Sequence, residues 1–181
     1  MTPKERRDIL FKLGRPNIRP LEVLDKNGYH KDVAICWLAH SKKPFYSFRE
    51  TEQDGFAAEI LEASRTVDLL IAEDKSDYYQ NGFGPIALIG VHSDGWRFMP
   101  HVSYFPWATK KNILKITVAF LQMIRYKKQV GVCVVRSMES TANLFHHCRK
   151  FGVLHYVGVI PGGDPRGDEY IFSVKGKKTH V

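Results

Sequence analysis

Two histidines, one cysteine and one basic turn are the residues of this chain best suited to chemistry. His92 and His101 lie nine positions apart on either side of a Ser93-Asp94-Gly95 reversal. Histidine is the side chain that exchanges a proton near neutrality, so either is suited to take a proton from a substrate. Asp94 and Glu73 are weaker candidates for that role, and His101 is the stronger of the histidines. Cys148 stands in a helical segment as a lone thiol, which ordinarily titrates at about 8.5. It serves either as a proton source or, as lone helical cysteines more often do, as a packed apolar group. Thr109-Lys110-Lys111-Asn112 puts a hydroxyl and two ammonium groups at the start of a helix, where phosphate oxygens are well held. The bland alternative is that the lysines solubilise a first helical turn.

Other chemistries are poorly served. Cys36, Cys133 and Cys148 form no CxxC pair, and His146-His147 have no acidic or cysteine neighbours at metal-ligand spacing, so no metal site is expected. Neither GxxxxGK[ST] nor GxGxxG occurs. No apolar run nears the roughly 20 residues of a membrane span, and no signal peptide is legible at the start. The expectation is a cytoplasmic protein with no membrane partner.

These residues need elements to hold them. The 181 residues, 44% hydrophobic and 25% charged, suit one core. A short helix is expected over Thr2–Lys12, within a basic arm spanning residues 1–20 and preceding a domain of residues 21–181. Val33 to Leu38 is continuously apolar and reads equally as strand or helix. Asp54 to Ser64 has helical spacing through Phe56, Ala57, Ile60 and Leu61. Strands are expected over 67–72, 85–92 and 96–104, the last two forming a hairpin. Residues 110–128 carry the clearest helical stripe, through Ile113, Leu114, Val118, Leu121 and Ile124, behind Thr109 as cap. A strand over 130–135 and a helix over 139–151 follow, the latter closed by Gly152 in a left-handed cap. Strands over 154–160 and 169–174 end the chain, joined by a loop at 161–167. The whole is an α/β domain around one mixed sheet.

This order, from Val67 to Val174, resembles the Gcn5-related N-acetyltransferase (GNAT) fold: a single domain with a central mixed, mainly antiparallel sheet flanked by helices. The resemblance implies acetyl-CoA as cofactor and an amine-bearing small molecule or protein as acceptor. The family's pyrophosphate turn, Arg or Gln followed by x-x-Gly-x-Gly or Ala, aligns its first residue with Thr109. Lys110, Lys111 and Asn112 then stand where glycines are usual. Val102 and Tyr104, on the strand before the helix, are implied cofactor contacts. Matching the terminal glycine of the family's second motif to Gly152 puts its asparagine on Thr141, with Asn143 close by, and its acid tyrosine on Cys148. The resemblance gives His101 the role of general base. The eroded glycines and small size also resemble acetyltransferase-like proteins of tailed bacteriophages, which would place the chain in host cytoplasm or a virion.

The net charge of +8 is unevenly spread. Residues 1–20 and 110–128 are basic, whereas nine carboxylates fall between Glu50 and Asp77. The acidic stretch would attract a cationic amine. The basic stretches suit a second class of function, a non-catalytic GNAT-fold structural or interaction protein with an assembly partner. A third is nucleic-acid association, with Tyr78, Tyr79, Trp96, Phe98, Tyr104, Phe105 and Trp107 as stacking groups.

Overall fold

The structure is a computed structural model that describes residues 14–80, 82–93, 97–126, 132–165 and 167–174. The expected Thr2–Lys12 helix, the Ser93-Asp94-Gly95 reversal and the start of the 130–135 strand fall wholly or partly outside the described residues. The chain divides into two compact units: residues 16–92 with 100–113, and residues 1–15 with 93–99 and 114–181.

In the first unit, β1 (Asn17–Pro20) pairs antiparallel with β4 (Asp68–Lys75), and β4 pairs antiparallel with β5 (Phe83–Ser93). Residues 17–20, read from sequence as the end of an arm, are therefore a sheet strand. Their short length and the central prolines around them hid the pattern. A small hairpin, β2 (Leu24–Asp25) and β3 (Gly28–Tyr29), leads into α1 (Lys31–Lys42). The ambiguous apolar run is thus helical. His30 caps it by accepting from the Asp32 N–H, and Val33, Cys36, Ala39 and His40 are buried at helical spacing. Helix α2 (Gln53–Ala63) buries Phe56, Ala57 and Ile60. Phe56 is the centre of an aromatic cluster, with His40, Phe45, Phe48 and Trp37 rings 4.8–6.2 Å away. Leu69, Ile71 and Leu88 from the strands close this core.

The β4–β5 ladder carries one irregularity. Ala72 faces Ala87 but Glu73 faces Pro85, so Ile86 is the extra residue. The Pro85 carbonyl, released from the ladder, accepts hydrogen bonds from Trp107 Nε1 at 2.9 Å and Tyr79 Oη at 2.8 Å. The Ile86 carbonyl accepts the Phe105 N–H at 2.8 Å. These bonds fix the exit of β6 (Arg97–Tyr104), whose residues from Pro100 onward belong to this unit.

In the second unit, the first residues of β6 pair in parallel with β7 (Val132–Met138) through Arg97↔Val132 and Phe98↔Cys133. β7 then pairs antiparallel with β9 (Gly167–Val174), and β9 with β8 (His155–Asp164). Helix α3 (Lys110–Tyr126) contributes Ile116, Val118, Phe120, Leu121 and Ile124 as buried residues. Helix α4 (Glu139–Arg149) packs on β7, β8 and β9, with Phe145 against Phe172. Gly152 has φ +70°, the left-handed conformation expected where a helix stops. The expected loop at 161–167 is mostly strand instead. β8 continues to Asp164 by bulging, since Ile160 faces Glu169 and Asp164 faces Gly167. Gly162 at φ +60° makes this bulge feasible, and its N–H donates to Asp168 at 2.9 Å.

The hydrogen-bonded strand order is β1-β4-β5-β6-β7-β9-β8. This is an α/β fold with a central mixed, mostly antiparallel sheet flanked by helices, the GNAT-like topology expected from the element order.

Candidate active site

The start of α3 is built by a reciprocal cap. Thr109 Oγ1 accepts the Asn112 N–H at 3.2 Å, while Asn112 Oδ1 accepts the Thr109 N–H at 3.1 Å and the Thr109 hydroxyl at 2.6 Å. This is a capping box with asparagine at its third helical position. The Asn112 amide nitrogen then donates to Asp74 Oδ2 at 2.8 Å and to the Lys75 carbonyl at 3.0 Å. Asn112 is 4% exposed and Asp74 1% exposed, so the helix start is locked to the end of β4 by a buried amide.

Asn112 was assigned above to direct cofactor contact. Both its amide hydrogens and its oxygen are spent within the protein, so its geometry suits positioning the turn instead. Its neighbours differ: Thr109, Lys110 and Lys111 are exposed. Lys110 and Lys111, as the first two helical residues, have N–H groups beyond the reach of the intrahelical ladder. Two exposed ammonium groups beside such donors match the needs of a diphosphate. The residues present thus fit the pyrophosphate of acetyl-CoA in charge and donor type, without glycines.

An aromatic wall precedes this turn. Trp107 stacks on Tyr78 with ring centroids 4.2 Å apart at 10°, and Lys42 Nζ lies 5.7 Å from the Tyr78 ring and 5.9 Å from that of Trp107. Ser76 donates its hydroxyl to the Trp107 carbonyl at 3.5 Å. The rings read from sequence as stacking groups are in this pair occupied with each other.

In the same unit His92 and His101 come together in the lining of a cavity of about 300 Å³. Ser47 and Phe48 line it from the α1–α2 loop, Ala63 from the end of α2, and Val67 lies just before β4. Leu69, Leu88, Gly90 and Ser103 complete it from the sheet. The spacing is that of one sheet face: Leu88, Gly90 and His92 alternate along β5, as do His101 and Ser103 along β6. Both histidines are exposed at the surface. Val102 and Tyr104, half-buried, alternate with His101 and Ser103 and so belong to the opposite face of β6.

The remaining expected residues lie in the second unit. Asn143 is exposed on α4, and the side chain of Thr141 is outside the described residues. Cys148 is fully buried, and burial alone pushes its thiol up to about 12. At neutral pH it stays protonated. A thiol held that high is a poor proton donor to a departing thiolate, and its place is that of a packed residue. Among the described residues no group of histidines, cysteines and carboxylates is arranged to hold a metal ion.

Sequence reasoning did not find the ionic brace behind this site. Arg19 on β1 donates to both oxygens of Asp32 at 2.6 and 2.9 Å, and to Glu73 at 2.8 and 3.1 Å. Burial by itself would raise the Asp32 carboxyl. Hydrogen bonds from Arg19 and the Glu22 N–H, and the Arg19 charge, outweigh it and hold the carboxyl below its ordinary range. The partners come from three separate elements, so spacing could not reveal them.

No protein-family model matches the sequence, and no curated protein sequence matches it. Solved structures do. A mutant of spermidine N-acetyltransferase SpeG from Vibrio cholerae aligns at TM-score 0.64 with 10% identity, over 88% of this chain and 93% of that one. The enzyme AAC(6')-Ib in complex with paromomycin and acetyl-CoA aligns at TM-score 0.63 with 13% identity, over 93% of this chain and 99% of that one. A chimera of SpeG from Vibrio cholerae and hSSAT aligns at TM-score 0.62 with 9% identity, over 89% of this chain and 96% of that one. At such identities the likeness is one of fold, and the fold is that of the GNAT acetyltransferases. No described helix is long and apolar enough to cross a membrane.

Proposed function

We propose that the chain is an acetyl-CoA-dependent N-acetyltransferase acting on a primary amine. The observation that carries the proposal is the helix start at Thr109–Lys111, braced from behind by Asn112 and presenting two lysines in a fold of GNAT topology. In this reading Thr109, Lys110 and Lys111 hold the pyrophosphate, with Val102 and Tyr104 as further cofactor contacts on β6. Acetyl-CoA supplies an activated thioester carbonyl. His101 takes the proton from the acceptor amine, directly or through a water, and the cavity it lines holds the acceptor. Cys148 has no step in this scheme, because its side chain is fully buried. SpeG and AAC(6')-Ib support the reading as proteins of this fold named as acetyltransferases or bound to acetyl-CoA.

Isothermal titration with acetyl-CoA is expected to give saturable binding. Changing Lys110 and Lys111 together to alanine should weaken it tenfold or more, given about 1.5–3 kcal/mol for a hydrogen bond to a charged group, discounted for exposure. His101→Ala should lower kcat about 100-fold, within the usual range for a general base, with acetyl-CoA affinity unchanged. Absence of acetyl-CoA binding by the intact chain defeats the proposal.

A further inference from the structure

We infer that the acceptor is a monoamine with an uncharged, apolar arm of about two rings, held in the cavity beside His101, and that Gly90 sets how deep that arm can reach. The inference rests on the acetyltransferase reading above and adds the chemical class of its acceptor.

The lining decides the chemistry. Phe48, Ala63, Val67, Leu69 and Leu88 supply its walls, and Ser47, Ser103 and the two histidines its polar groups. Among the described residues no carboxylate lines it. A second ammonium on the acceptor would be desolvated there without a counter-charge, and a protonated histidine would repel it. Four of the nine carboxylates in the acidic stretch that would attract a polycation have partners elsewhere. Glu59 accepts the backbone N–H groups of Arg49 and Glu50, Glu62 pairs with Arg65, Glu73 binds Arg19 and Asn17, and Asp74 holds Asn112. The volume decides the size. An apolar cavity of about 150 Å³ holds one benzene ring, and this one has about 300 Å³.

Gly90 lines the cavity from β5, between Leu88 and His92. A Cβ there would lie 3.4 Å from Val67 Cγ1 and 3.7 Å from Leu69 Cδ2, in ordinary contact. Alanine therefore fits, whereas the branched end of a leucine would occupy the space assigned to the arm. The reaction balances with these groups. The amine lone pair forms the C–N bond to the thioester carbonyl as the C–S bond breaks. His101 removes the amine proton, and the CoA thiolate is protonated from solvent. The products are the N-acetylated amine and free CoA.

The test compares 2-naphthylmethylamine with spermidine as acceptors, following thiol release, with acetyl-CoA titrated separately. The naphthyl amine should lead in kcat/KM by tenfold or more, since each methylene in an apolar pocket is worth about 10-fold or more. Gly90→Leu should erase that lead while acetyl-CoA affinity stays unchanged, and Gly90→Ala should fall between. If Gly90→Leu does not fold, Leu88→Ala replaces it and must raise the relative rate of a bulkier anthracenyl amine. Equal or faster transfer to spermidine with acetyl-CoA bound overturns the inference and leaves acetyl transfer standing. Failure of acetyl-CoA to bind overturns the enzymatic reading instead. Direct titration of 2-naphthylmethylamine then decides the cavity, with binding lost in Gly90→Leu supporting it and no binding refuting it.

Discussion

Replacing Asn112 with alanine tests the idea that a buried amide, rather than glycine, shapes the turn before α3. The side chain caps the helix through Oδ1 and donates to Asp74 at 2.8 Å and the Lys75 carbonyl at 3.0 Å. Loss of a cap costs about 1 kcal/mol. Loss of the bond to a carboxylate costs about 1.5–3 kcal/mol and of the neutral bond about 1 kcal/mol. Asp74 keeps the Lys75 N–H at 2.9 Å, which softens the loss. The expected destabilisation is therefore about 3 kcal/mol, less than the plain sum. Urea titration should show the midpoint falling by about 1–3 M at constant slope, for slopes of about 1–3 kcal/mol/M. Thr109→Ala should cost about 1 kcal/mol, and the double variant should be scarcely worse than Asn112→Ala, because the two side chains share their bonds. Asn112→Asp should be worse than alanine, since it sets a second carboxylate beside Asp74. Acetyl-CoA affinity should fall in Asn112→Ala although both lysines remain, which distinguishes positioning from contact. A loss below 1 kcal/mol, or full additivity with Thr109→Ala, would refute the brace.

Two further outcomes follow from titrating groups. Asp32 has its folded carboxyl held below the ordinary value, so its contribution is complete above about pH 4 and is lost as pH falls through the lower, folded value. Asp32→Asn should cost near the low end of the about 3–5 kcal/mol for a broken buried pair, because Arg19 retains Glu73, and its acid unfolding limb should be flatter. Cys148, buried with its thiol pushed up to about 12, should react with a thiol reagent at pH 8 only on unfolding. Rapid labelling in the folded state would place it at an accessible site instead.

Most of the fold was legible because its signals are local. The stripe of residues 110–126 and the left-handed Gly152 are properties of consecutive residues, and the structure has both. Elements whose identity depends on distant partners were harder to read. Val33 to Leu38 is apolar throughout, and only the burial of Cys36, Ala39 and His40 against Phe56 and Phe45 decides for helix. Strand β1 has four residues and ends in proline, so its place depends on β4 rather than on its own pattern.

The candidate site divides along the same line. The exposure of Lys110 and Lys111 at a helix start was legible in sequence, because exposed charge there needs no distant partner. The side-chain bonds of Asn112 were not legible, because they reach 38 residues back along the chain to Asp74. That long reach bears on the missing glycines. Glycine serves a phosphate turn by allowing close backbone approach, which matters most where the turn must bend around its ligand. A capping box, fixed to a neighbouring strand by a buried amide, instead holds the first helical N–H groups in place before any ligand arrives. Preorganisation of this kind lowers the ordering cost of binding, and the lysines add charge that glycines lack. On the proposed reading, this start of α3 would be a different physical solution to anion binding, one whose strength depends on Asn112 as much as on the lysines.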